Sequence, residues 1–170
     1  VFSHHSFVIF HSGSTRKLSH GKYNERKNET LKASEILEVS SLRHAVIDQL
    51  TKIEDPIINK RAKHIISEND RVLKAVSCLE QDDPISFGEL MNLSHHSMRD
   101  DYEISSDELN QVVESANKNG ALGARLTGAG FGGCVVILAA NKELRSVSNS
   151  VLEDCPQAYL VTTISKELNS

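Results

Sequence analysis

Several things this chain has little of narrow the reading at once. It carries only 3 cysteines in 170 residues. Cys78, Cys134 and Cys155 leave one thiol unpaired and show no C-x-x-C spacing, which argues against a disulfide framework or a zinc site. Basic residues are not in excess: the formal net charge is -4 and the charged fraction 25%, so the basic stripe that nucleic-acid binding needs is missing. Long hydrophobic runs are missing too. The longest, Cys134 to Ala140, is far too short to cross a bilayer. Val1 to Ser14 has neither the apolar core nor the small-residue cleavage site of a signal peptide. No internal repeat or low-complexity tract interrupts the sequence. The expected compartment is reduced and cytoplasmic, with no nucleic-acid or membrane partner. At 39% hydrophobic residues, the chain can build the core of one domain over residues 1–170.

Glycine is concentrated in one place. Five of the 9 glycines fall in Gly123-Ala-Arg-Leu-Thr-Gly-Ala-Gly-Phe-Gly-Gly133, which runs directly into Cys134-Val-Val-Ile-Leu138. A residue without Cβ adopts positive φ and lets other groups approach the backbone. Such a loop can aim several N–H groups at one anion. Gly128, Gly130 and Gly133 satisfy G-x-G-x-x-G, yet that dinucleotide fingerprint opens a helix, whereas Cys134 to Leu138 is β-branched and reads as a strand. The loop is therefore expected to join strand to strand.

Phe7-Val-Ile-Phe10 is a strand candidate closed by His11-Ser-Gly-Ser14. Helix formers follow from Ser19 through Glu38. Ser40 or Ser41 is placed to cap a helix carrying Leu42, Ala45, Val46 and Leu50. Asp55-Pro56 is a helix start, a carboxylate at the cap and proline in the first helical position. Ile58, Ala62, Ile65, Val72, Val76 and Leu79 then repeat along one face of a long helix. Asp83-Pro84 restarts the chain as a helix with Phe87, Leu90, Met91 and Met98. Ser105-Ser-Asp-Glu108 has the form of a capping box, ahead of Leu109, Val112, Val113 and Ala116, and Gly120 is the expected C′ residue. Strands are predicted over Ala124 to Thr127, Cys134 to Leu138 and Ala158 to Ile164. A helix capped by Asn141 is expected before the last strand. The predicted class is α+β, a ferredoxin-like split βαβ sheet with extra helices in its first crossover, covered by helices on one face.

Three segments, read together, resemble one family. Gly123 to Cys134 is similar to the third signature motif of the GHMP sugar and small-molecule kinases. Phe87-Gly-Glu-Leu-Met91 with Ser94-His-His-Ser-Met-Arg-Asp-Asp-Tyr-Glu-Ile-Ser105 resembles the segment that galactokinases place ahead of that motif. Ser12, Leu18 and Tyr23-Asn-Glu-Arg26 resemble the stretch after the first strand of a galactokinase C-terminal domain. Arg61-Ala-Lys-His64 with Glu68 is a further match. The resemblance implies a GHMP kinase C-terminal domain type of fold. It also implies transfer of the ATP γ-phosphoryl group to the anomeric hydroxyl of galactose.

The match begins roughly halfway along a galactokinase. The family's sugar motif, ATP loop, catalytic aspartate and Mg²⁺-holding glutamate are then expected upstream, in an N-terminal domain that would be this chain's partner. The resemblance assigns no catalytic residue to this chain. It implies ATP and Mg²⁺ for the full-length enzyme, no cofactor bound by this chain alone, and no activity for the chain alone. Tyr23 falls on the tyrosine that hydrogen-bonds a galactose hydroxyl. Gly128, Ala129, Gly130, Phe131, Gly132 and Gly133 fall on the loop that supports the cleft. Ala129 departs from the family's usual glycine. A kinase for N-acetylgalactosamine or arabinose, or a non-catalytic sugar sensor, are the alternatives.

Other candidates have plainer readings. Asp100-Asp101 follows a helix end beside Arg99 and is expected to be ion-paired. Adjacent histidines such as His95-His96 diverge by about 100° on a helix, and no third ligand stands at useful spacing, so no metal site is expected. Cys134 is expected to be a packed core thiol.

Overall fold

The computed structural model describes residues 2–14 and 19–165. Leu18 lies outside the described residues. The elements, in chain order, are β1 (His5–His11), α1 (Ser19–Ile36), α2 (Pro56–Glu80), α3 (Pro84–Asp100), α4 (Asp107–Lys118), β2 (Gly123–Thr127), β3 (Cys134–Ala140), α5 (Leu144–Asp154) and β4 (Tyr159–Ser165). Two 3₁₀ segments, Leu42–His44 and Ile47–Lys52, lie between α1 and α2.

The strands form one sheet in the order β2-β3-β1-β4, every pairing antiparallel. β1 and β2 thus run parallel with β3 between them, the split βαβ arrangement expected from the sequence. Alternation decides what is buried. Val8 and Phe10 of β1, Leu126 of β2 and Val135 and Ile137 of β3 share a core with Leu109, Val112, Val113 and Ala116 of α4 and Val147 and Val151 of α5. Each such side chain contributes about 1.5–3 kcal/mol of burial.

The expectation of helices on one face needs correction. α3 straddles the β2 edge: Met98 joins the main core, while Met91 packs with Phe2 and Leu138 in a second cluster that Phe7, Phe87 and Val136 extend. The crossing is made possible by two glycines. A Cβ on Gly88 would overlap the carbonyl of Leu122, and one on Gly123 would overlap the carbonyl of Gly88. β4, the outer strand beside β1, has all seven residues exposed.

Helix starts follow the sequence at both Asp-Pro sites. Asp55 accepts from the amides of Ile57 (2.9 Å) and Ile58 (3.2 Å), and Asp83 from that of Ser86 (3.1 Å). Gly120, at φ +102, closes α4, with the Ala121 amide donating to Ala116 O at 3.0 Å.

Elsewhere the ends differ. No α-helix starts at Ser40 or Ser41, because Ala45 (ψ 157) and Val46 (ψ 157) are extended and break the ladder into two 3₁₀ turns. Leu42 and Ala45 still reach the cluster formed by Ala33, Leu37, Ile53, Ile58, Ala62 and Ile66. The α4 cap is Ser106, not Ser105, and accepts from Leu109 N at 3.4 Å. That register puts Glu108 one place too early for a capping box. Asn141 does not cap α5. It accepts from Ser6 Oγ at 2.7 Å, and its amide donates to His4 O at 2.9 Å, tying down the start of β1. On α2 the apolar face is covered only in its first half. Val72, Val76 and Leu79 are 54%, 48% and 46% exposed.

Candidate active site

The β2–β3 hairpin carries the glycine loop, Gly128 to Gly133, at the end of the sheet where β1 also finishes. Its backbone explains its composition. Gly128, Gly130, Gly132 and Gly133 have φ of +88, +79, +115 and +96, and Phe131 joins them at +60. Ala129 is not in that region, so its methyl costs the loop nothing. Gly130, Gly132 and Gly133 are buried, while Gly128 and Ala129 are exposed.

Two neighbours seat the loop. The Phe131 amide donates to Ile104 O at 2.6 Å, and the Ser12 amide donates to Gly133 O at 2.8 Å. A Cβ on Gly130 would collide with the Ile104 carbonyl. The loop therefore rests on the segment between α3 and α4 on one side, and on the end of β1 on the other. It joins two strands, so the dinucleotide reading is excluded.

The first turn of α1 lies over this loop. Lys22 Nζ is 5.4 Å from the centroid of the Phe131 ring, within cation–π range. Tyr23, next in sequence, is 56% exposed. The Tyr102 phenol sits close by, its pKa raised by burial, with Tyr23 among the groups acting on it.

Beneath these residues is a partly buried ion network, its arginines buried and Glu103 at its surface, that composition could not reveal. Arg26 Nε donates to Tyr102 O (2.7 Å) and Nη1 to Glu29 Oε2 (2.9 Å). Arg61 Nε donates to the same Glu29 oxygen (2.9 Å), Nη1 to Asp101 O (2.6 Å) and Nη2 to Glu103 Oε2 (2.8 Å). Arg61 is 2% and Arg26 7% exposed. Burial lowers the Arg61 pKa, but its hydrogen bonds to the Glu103 and Glu29 carboxylates and their charges outweigh it and raise the net value. The Arg61 hydrogen bond holds Glu103 below the usual carboxylate range. Arg26 and Arg61 stood in the matching segments. What no sequence pattern showed is that their partners, Glu29 and Glu103, converge on them from α1 and from the turn after α3.

Two buried histidines complete the surroundings. His64 stacks on Tyr102 (centroids 4.5 Å, 18°). Its Nδ1 is 3.0 Å from Ser97 Oγ, which donates to Asp101 Oδ2 at 3.1 Å. His95 Nε2 is 3.1 Å from Asn110 Oδ1, and its Nδ1 accepts from the Leu126 amide at 3.4 Å. Burial lowers both pKa values to about 4, so both rings are neutral near pH 7 and serve as fixed hydrogen-bonding posts.

Asp100 pairs with Arg99 (2.8 and 3.0 Å), and Lys63 Nζ donates to Asp101 at 3.0 Å, the ion-paired roles expected. Cys134 is not a packed core thiol. It is only partly buried, and Cys155 is the buried one, because Cys134 lies in the row of His11 and Thr127 on the less covered face. A separate pocket of ≈ 230 Å³ between α2, α3 and the sheet is lined by Phe7, Glu68, Arg71, Phe87, Ser94 and Arg125 among others. There burial pushes the Glu68 carboxyl up, but hydrogen bonds from Ser94 and Arg71 and the charge of Arg125 prevail and lower it. Neither Tyr23 nor Gly128 to Gly133 lines that pocket. Among the described residues, no group of three or more His, Cys, Asp and Glu side chains could hold a metal ion.

Residues 75–156 match the family described as GHMP kinases C terminal. A galactokinase of Clostridium beijerinckii is 42% identical over 167 residues, 92% of this chain and 39% of that protein. A Haemophilus influenzae galactokinase is 38% identical over 170 residues, 94% of this chain and 43% of that protein. The chain belongs to the GHMP kinase family. Lactococcus lactis galactokinase, solved complexed with galactose, superposes with a TM-score of 0.90 at 32% identity, covering 96% of this chain and 46% of that one. Mevalonate kinase of L. major, at a TM-score of 0.60 and 20% identity, shares the fold alone. Within the GHMP kinases the similarity is therefore to galactokinases. The chain spans about two-fifths of the length of the curated relatives it matches.

Proposed function

We propose that this chain is the C-terminal domain of a galactokinase, one domain over residues 1–170. The enzyme transfers the ATP γ-phosphoryl group to the anomeric hydroxyl of galactose. The observation that carries this reading is the TM-score of 0.90 to a galactokinase complexed with galactose, against 0.60 to a mevalonate kinase of the same fold. Tyr23 is the sugar-contacting residue of this half. Its phenol can both donate to and accept from a hydroxyl, and its exposure leaves it free to do so. The loop Gly128, Ala129, Gly130, Phe131, Gly132 and Gly133 forms the cleft wall, and its lack of bulky side chains at Gly128 to Gly130 lets substrate approach the backbone.

Phosphoryl transfer asks a protein mainly for positioning and charge stabilisation. The residues described here position. ATP and Mg²⁺ are assigned to the N-terminal half of the enzyme, where the resemblance puts the ATP loop, the catalytic aspartate and the Mg²⁺-holding glutamate. The chain alone is inactive on this reading. Expression of the complete reading frame, with ADP release assayed on galactose, N-acetylgalactosamine and arabinose, tests it. Turnover is expected with galactose. Turnover only with another sugar would reassign the substrate, and none with any sugar from a folded protein would sink the kinase reading.

A further inference from the structure

Arg61 touches neither sugar nor loop in the proposed function, yet its guanidinium makes three hydrogen bonds. It projects from α2 and is 2% exposed. Its three guanidinium nitrogens go to three acceptors on two pieces of chain: Glu29 on α1, and the Asp101 carbonyl and Glu103 in the turn after α3. Burying an ion network does not by itself stabilise a fold, since desolvation offsets most of the attraction. What such a network can do is fix register. Here the pieces it joins are the two that carry the sugar-facing groups.

The first is α1. Glu29 also takes the Arg26 guanidinium, and Arg26 lies one turn after Tyr23 on that helix. The second is the turn Asp101 to Ile104, whose final carbonyl holds the Phe131 amide of the glycine loop. Within that turn Glu103 stands at φ +54, a region that residues with a side chain seldom occupy. The hydrogen bond from Arg61 Nη2 holds its carboxylate there at 2.8 Å. Arg26 grips the same turn through Tyr102 O, with its Nη2 3.7 Å from the same Glu103 oxygen.

We propose that Arg61 is a positioning residue that sets the distance between Tyr23 and the glycine loop by clamping α1 to the turn 101–104. This rests on the reading above that both face galactose. Three separate nitrogens in one rigid plane reach these three acceptors at once. A lysine in its place supplies one point charge on a flexible stem.

The test uses Arg61→Lys in the complete reading frame. The variant is expected to fold, and its galactose KM to rise between about ten- and a hundredfold, with the KM for ATP and kcat little changed. A residue that only held the fold together would lower the active fraction, so kcat would fall at constant KM, and that result overturns the proposal. Hydrogen exchange gives an arm independent of activity. Amides of Tyr23 to Ala33 and of Gly128 to Gly133 should exchange faster in Arg61→Lys, while those of α5 stay as they were. Faster exchange in α1 with an unchanged loop would break the claimed link. If Arg61→Lys fails to fold, Glu103→Gln, at a residue on the surface, weakens the same clamp; the same two signatures are expected of it, and their absence refutes the clamp. A wild-type protein without turnover on any sugar would remove the kinase reading alone, and the exchange arm would still decide the clamp.

Discussion

The amide of Phe131 and the carbonyl of Ile104 meet at 2.6 Å, and Gly130, one residue earlier, leaves no room for a Cβ beside that carbonyl. The loop thus cannot shift without losing its seat. Gly130→Ala would force both a collision and an unfavourable φ of +79. A loss of about 2–4 kcal/mol is expected, read as a drop in thermal midpoint, with a fall in kcat larger than the stability loss explains.

A second steric prediction concerns the scaffold. Gly88 and Gly123 let α3 cross β2 in backbone contact. Gly88→Ala should destabilise by about 1–3 kcal/mol through overpacking, even though alanine is the better helix former. A gain in urea midpoint would show that the crossing is loose.

Acid should weaken the fold through His64 and His95. Both have folded pKa values of about 4, below the ordinary 6.5, because burial disfavours the charged ring. The unfolded chain therefore binds more protons between those limits, and stability falls as pH drops from about 6.5 toward 4. Each ring can contribute up to about 3 kcal/mol of that loss. Denaturant unfolding at pH 7, 5.5 and 4.5 should show the slope, and His95→Gln should reduce it. A flat profile would mean that the rings are already solvated.

Tyr23→Phe isolates one hydroxyl on an exposed side chain, so stability should not change. On the proposed function, the galactose KM of the complete enzyme rises about tenfold, the worth of one hydrogen bond of roughly 1.4 kcal/mol, and the KM for ATP is unchanged. Unaltered galactose kinetics would take Tyr23 out of the site.

Much of this was legible in the sequence because local rules and tertiary contacts agree there. Asp55-Pro56, Asp83-Pro84 and Gly120 each punctuate a helix with their own chemistry, and the β-branched run after Gly133 announces a strand. Two failures share one cause. Ser105 and Asn141 looked like caps, but which polar residue caps a helix depends on what else competes for it: Asn141 binds Ser6 across the sheet, and Ser105 turns to Asn110. Ser41 does cap, but only a 3₁₀ turn, because the extended backbone at Ala45 and Val46 stops the helix. The loop and Tyr23 could be named from motifs. The clamp could not, because Glu29, Arg61 and Glu103 are far apart in sequence and only the fold brings them together.

β4 has a consequence for handling the molecule. Tyr159, Leu160, Val161 and Ile164 are 53%, 48%, 50% and 46% exposed on a strand that, among the described residues, has a partner along one side only. Such an edge offers free amides and carbonyls beside apolar side chains, the template on which strands of separate chains pair. Prepared by itself, this polypeptide should self-associate as its concentration rises, and lysines introduced at Leu160 and Ile164 should keep it dispersed.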